Sequence, residues 1–180
     1  MQTKMLATAG LTLHLSGYLH AASAFMSSTY KSDNMAKSLQ VHMSGPKPFG
    51  GAYLRAALAH VDLQVALMFS SLAALAPANV YRGTSAYASA NSYLDALSTC
   101  ARLTGQAASC VQMANVAEQG SGALAPEQMA ALPGMVRITL DQYARSLSSA
   151  LHPSLWGPGA VLPELPEALV REFEGPALLP

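Results

Sequence analysis

Val65-Ala66-Leu67-Met68-Phe69 is an unbroken apolar run that stops at Ser70-Ser71. A strand with one wet face alternates apolar and polar residues. A strand apolar on both faces has to be covered on both, as in parallel sheets sandwiched between helices. The flanking sequence extends that pattern. Leu11 to Leu19 alternates loosely and meets His20-Ala21-Ala22, which predicts a strand and then a loop. Asp33 or Asn34 can cap a helix carrying Met35, Leu39 and Met43, and a further helical piece is expected from about Gly51 to His60. After a loop from Ala76 to Thr84, Ser85 is a candidate N-cap for a helix reaching about Leu103, and Ala107 to Met113 is the next strand candidate. Pro126 suits the first turn of a short helix. Thr139 with Gln142 forms a capping-box signature ahead of Leu140, Tyr143, Ala144, Leu147 and Leu151 at helical spacing. Alternating strands and helices predict an α/β fold, a parallel sheet with flanking helices, over residues 1–151. Residues 152–180 are rich in proline and glycine, and read as a tail or linker.

Composition narrows the function classes. Only 11% of the 180 residues are charged, against roughly 25% in an ordinary soluble domain, which suggests surface meant to be buried against other protein. Ten basic residues balance ten acidic ones without a run of either sign, so nucleic acid is not an expected partner. A membrane span is not expected either, because Arg55, His60 and Asp62 interrupt the stretch from Leu54 to Leu75. Cys100 and Cys110 show no CxxC spacing and read as free thiols in a reducing, cytoplasmic setting. The alternative, export or organelle import, rests on Lys4 before the apolar Met5–Leu19 stretch and on Ala22-Ser23-Ala24 as a cleavage site. His14, His20, His42, His60 and His152 have no metal-ligand spacing, and His20 reads as part of the turn after a strand. Asp62 and Asp95 read as capping or solvated carboxylates.

The residues that can carry chemistry follow the apolar run. Ser70-Ser71 would lie at the C-terminal tip of a buried strand and Tyr87 near the start of the next helix, both at the crevice where such sheets bind ligands. Tyr87 and Asn91, four apart, share one helix face. Each also has a plain structural reading: turn chemistry for the serines, packing for the tyrosine, a solvated charge for Lys47.

Taken together, Leu19-His20-Ala21-Ala22, Lys47-x-x-Gly50, Phe69-Ser70-Ser71, the stretch from Tyr87-Ala88 through Asn91 to Tyr93-Leu94-Asp95-Ala96-Leu97, and Val111-Gln112 resemble the ketoreductase domains of type I polyketide synthases. Gly134-Met135 and the helix after Thr139 also fit this branch of the short-chain dehydrogenase/reductase family. The resemblance implies a catalytic tetrad of Lys47, Ser71, Tyr87 and Asn91, with Lys47 and Tyr87 also contacting the cofactor, NADPH. The reaction implied is reduction of a β-ketoacyl thioester on an acyl carrier protein to the β-hydroxyacyl form, in polyketide or fatty acid biosynthesis. Tyr87 would donate the proton, Lys47 would favour its phenolate, Ser71 would steady the ketone oxygen, and Asn91 would hold Lys47 or a water.

The sequence also departs from that family. No G-x-G-x-x-G turn occurs to receive a dinucleotide pyrophosphate. The resemblance implies that the chain starts at the fourth strand of the sheet, as the C-terminal half of the domain, with the N-terminal half-domain and the rest of a synthase as partners. A non-catalytic structural remnant of a synthase is the alternative. Pro48 is expected to push Lys47 away from helical geometry. Met113-Ala114 stands where Trp-Gly is common, and Phe25-Met26-Ser27 where a Leu-Asp-Asp marker would fall.

Overall fold

The structure is a computed structural model in which residues 15–23, 37, 45–75, 85–117 and 137–151 are described. Strands β1 (Gly17–His20), β2 (Val65–Ser71) and β3 (Ala108–Met113) form a parallel sheet in that order. Leu19 lies opposite Leu67, Met68 opposite Cys110, and Ser70 opposite Gln112. The crossovers include helices α1 (Pro46–Ala57) and α2 (Ser85–Leu103), and helix α3 (Leu140–Leu151) follows a short parallel pair, β4 (Asn115–Val116) with β5 (Arg137–Ile138).

Alternate side chains of a strand leave opposite faces, and both faces of β2 are covered. Ala66 packs with Ala101 and Ala108, and Met68 with Leu94 and Cys110, which seats α2 on one face. Leu67 packs with Val111 and Ala150, joined by Phe69 and Leu147, which seats α3 on the other. The apolar run is therefore a two-faced core strand in an α/β/α sandwich. Leu67 and Leu94 are fully buried, and each such burial contributes about 1.5–3 kcal/mol.

Helix α1 lies against α2 on the same side of the sheet. A Cβ added to Gly51 would come within 2.8 Å of Leu94 Cδ2, so the two helices approach closely over a residue that has no side chain. The expected helix from Gly51 to His60 starts earlier and ends sooner, at Pro46 and Ala57. Pro46 and Pro48 both fall in its first turn, where the missing N–H groups would have had no intrahelical partner anyway.

Lys47 is consequently helical, contrary to what Pro48 predicts. The steric bias against helix before a proline is a local preference. Here it is overridden by two tertiary hydrogen bonds, one at the Lys47 carbonyl and one at its ammonium.

Helix α3 begins with the expected capping box. Thr139 N–H donates to Gln142 Oε1 at 2.8 Å and Gln142 N–H to Thr139 Oγ1 at 3.2 Å. Its last turn is tied to the sheet by Ser109 Oγ, which donates to the Ala150 carbonyl at 3.1 Å. The expected helices at Met35–Met43 and Pro126, the Ala76–Thr84 loop, Gly134-Met135, Phe25-Met26-Ser27 and the tail at 152–180 lie outside the described residues. Among the described residues no helix is long and apolar enough to cross a membrane.

Candidate active site

The C-terminal ends of β1 and β2 and the first turns of α1 and α2 converge on Lys47. Its side chain lies almost wholly inside, and Nζ donates to the Phe69 carbonyl at 2.6 Å. That short, charge-assisted bond pins the ammonium two residues before Ser71. From behind, the buried His20 ring bonds the Lys47 carbonyl through Nε2 at 3.0 Å. A carbonyl only accepts, so Nε2 carries the proton.

Lys47 Nζ stands 6.0 Å from the centre of the Tyr87 ring. Tyr87 is the third residue of α2 and half-buried. One turn on, Asn91 is fully buried and donates from Nδ2 to the Tyr87 carbonyl at 2.7 Å, while its Oδ1 has no hydrogen-bond partner. Ser71 ends β2 and accepts from Ala73 N–H at 3.2 Å, capping the short 3₁₀ turn Leu72–Ala74. Because the hydroxyl is used there as an acceptor, its own proton remains available to donate.

Burial and charge act against each other on Lys47. Burial pushes its ammonium down to about 8, and the charge of Asp95 opposes that fall. Burial pushes the Cys110 thiol up; the Asp95 carboxylate adds to that rise, while Lys47 and Ser70 oppose it. The thiol therefore stays protonated at neutral pH.

The structure brings Lys47, Tyr87 and Asn91 together around the end of β2 that carries Ser71. Asn91 spends its amide N–H on the Tyr87 backbone, and the Lys47 ammonium goes to a strand carbonyl. Four further residues belong to the same cluster. Ser70 Oγ, buried, donates to the Asn91 carbonyl at 3.3 Å. Gln112 Nε2 donates to Asp95 Oδ2 at 2.8 Å, so Asp95 is neither a cap nor solvated. His20 is the last residue of its strand and a buried partner of Lys47, not merely part of a turn. The spacing could have found Asp95, since Tyr87, Asn91 and Asp95 recur every four residues along one helix.

A cavity of about 450 Å³ lies elsewhere, at the N-terminal ends of the strands, among Tyr18, Arg55, Leu63, Ala66 and Gln106. Arg55 Nε donates to Gln106 Oε1 there at 3.3 Å. Ala66 and Ser71 are five strand residues apart, about 16 Å, so this cavity does not reach the cluster.

The family model described as the KR domain matches residues 2–118. The chain belongs to the KR-domain family. Its fold is that of solved ketoreductases. It is similar to an A1-type ketoreductase at 25% identity and a TM-score of 0.65, over 88% of this chain and 33% of that one. It is also similar to an A-type ketoreductase of a modular polyketide synthase, at 23% identity and a TM-score of 0.66, over 96% and 36% of the two chains. A third relative in fold is the ketoreductase from the first module of phoslactomycin biosynthesis in Streptomyces sp. HK803, with 20% identity, a TM-score of 0.64 and coverage of 94% and 37%. The KR chain described here thus spans about a third of the length of these solved structures. No curated protein matches it.

Proposed function

We propose that this chain carries the catalytic residues for NADPH-dependent reduction of a β-ketoacyl thioester, presented on an acyl carrier protein, to the β-hydroxyacyl form in polyketide or fatty acid biosynthesis. The observation that supports this most is a buried ammonium, Lys47, fixed to a strand carbonyl and 6.0 Å from the Tyr87 ring. It sets a positive charge beside the tyrosine that this reading makes the proton donor.

Reduction of a ketone puts negative charge on its oxygen. Tyr87 Oη donates the proton that turns this oxygen into a hydroxyl. Ser71 Oγ–H donates a hydrogen bond to the same oxygen as the charge builds. Asn91 holds the Tyr87 backbone and so fixes the phenol relative to Lys47. NADPH, when bound, supplies the hydride that the carbonyl carbon receives.

The residues present fit the reactive end of that cofactor. Lys47 gives one N–H to Phe69, and its other two would be the donors toward the cofactor, whereas the sequence has no G-x-G-x-x-G turn for the pyrophosphate. An N-terminal half-domain supplying that turn, and the rest of a cytoplasmic synthase, are the partners this reading requires. Residues 1–151 would form the C-terminal half of the ketoreductase domain and 152–180 a tail or linker.

The test supplies the N-terminal half of a KR domain by fusion or co-expression and follows ketone reduction with NADPH binding verified. Tyr87→Phe keeps the ring and removes the acidic proton, and turnover should fall about 10²–10⁴-fold. Turnover equal to wild type with cofactor bound would sink the assignment.

A further inference from the structure

Asp95 is an unusual place for a carboxylate. It stands on the α2 face that carries Tyr87 and Asn91. Oδ2 accepts from Gln112 at 2.8 Å, and Oδ1 is buried with no hydrogen-bond partner. A carboxylate oxygen buried without a hydrogen-bond partner is costly unless a nearby cation compensates it.

The sheet register puts that cation close by. Lys47 is anchored at the Phe69 carbonyl, and the next residue, Ser70, is the register partner of Gln112. The anchor of the ammonium and the anchor of the carboxylate thus sit on adjacent strands, about 5 Å apart across the sheet and one residue out of step along it. Cys110, two residues before Gln112 on β3, packs with Met68 and Leu94.

We infer that Asp95, clamped by Gln112, is the counter-charge that keeps Lys47 an ammonium at the Phe69 carbonyl, and so acts as a positioning residue for the tyrosine acid. This rests on the proposed reductase reading for its purpose, though not for its detection. The groups facing Lys47 are His20 from β1, Cys110 from β3, and Tyr87 and Asp95 from α2. His20 is engaged with the backbone carbonyl of Lys47, not with its ammonium, and burial keeps the thiol protonated. Of these four, Asp95 alone is a carboxylate.

The experiment is a pH titration of the full chain labelled with ¹³C at lysine Cε. The chain has four lysines, Lys4, Lys31, Lys37 and Lys47, and Lys47→Met assigns the fourth signal. Asp95→Asn keeps the shape and an acceptor for Gln112 while removing the charge. It should lower the Lys47 midpoint by about one pH unit, with the other lysines unmoved, and Asp95→Glu should restore it. A folded Asp95→Asn chain with an unchanged Lys47 midpoint overturns the inference.

If Asp95→Asn does not fold, the wild-type chain labelled at Asp Cγ decides instead. A step in the Asp95 resonance at the Lys47 midpoint supports the coupling, and its absence overturns it. Neither measurement needs cofactor or substrate. Coupling without reductase activity would defeat the functional reading alone, and activity without coupling would defeat this inference alone.

Discussion

The protonated Nε2 of His20 donates to the Lys47 carbonyl across 3.0 Å, so the last residue of β1 holds the first turn of α1 in place. Gly50 and Gly51 let that turn close on the ring. A Cβ at Gly50 would stand 2.8 Å from His20 Cε1. His20→Leu removes one hydrogen bond from a helical carbonyl, at a cost of about 0.5–1.5 kcal/mol. A urea melt should show that loss. The lysine ¹³Cε spectrum should show Lys47 displaced, and an unmoved Lys47 signal would mean that α1 is held by packing alone.

Ser70 and Ser71 are adjacent but leave opposite faces of β2. Ser70 points toward α2 and bonds Asn91, while Ser71 caps the 3₁₀ turn with its proton unspent. In the reconstituted protein, Ser71→Ala should lower ketone reduction on the order of 10²-fold. Ser70→Ala should cost about 0.5–1.5 kcal/mol of stability and change turnover less than about tenfold. The reverse pattern in steady-state rates would make Ser70 the hydroxyl that meets the substrate.

Lys47 and Cys110 give the stability a dependence on pH with a definite sign. The Lys47 pKa falls from 10.5 to about 8 on folding, so between these values the unfolded chain holds a proton the folded chain has released. Stability from this group therefore rises with pH across that window. The Cys110 thiol, starting from 9.0, is pushed up, so above 9 the unfolded chain loses its proton first and stability falls. The two effects separate between pH 8 and 9, where a rise of at most about 1 kcal/mol is expected. Urea midpoints across that window check it. Lys47→Met should flatten the rise, and Cys110→Ala should carry it toward 10.5.

Much of the scaffold was legible from the sequence because it rests on local rules. The two-faced apolar run, the helix from Ser85 to Leu103 and the Thr139–Gln142 box each announce themselves within a few residues. The errors fall where a distant partner decides. Nothing near Pro48 indicates that His20 and Phe69 will hold Lys47 in a helix. Asp95 reads as solvated because Gln112, which binds it, lies on the next strand. The roles of Ser70 and Ser71 divide according to which helix covers each face of β2, and that is fixed by the packing of α2 and α3 rather than by either serine.

The same division of faces constrains how a gene for this chain can change. A one-codon insertion or deletion within β2 would turn every later side chain of the strand to the other face, exchanging the hydroxyl that braces α2 with the one at the reactive end and moving Met68 and Phe69 into the wrong cores. A two-codon change keeps each residue on its own side. A substitution along this strand alters one face at one point, whereas a change of length by one residue alters both faces at once.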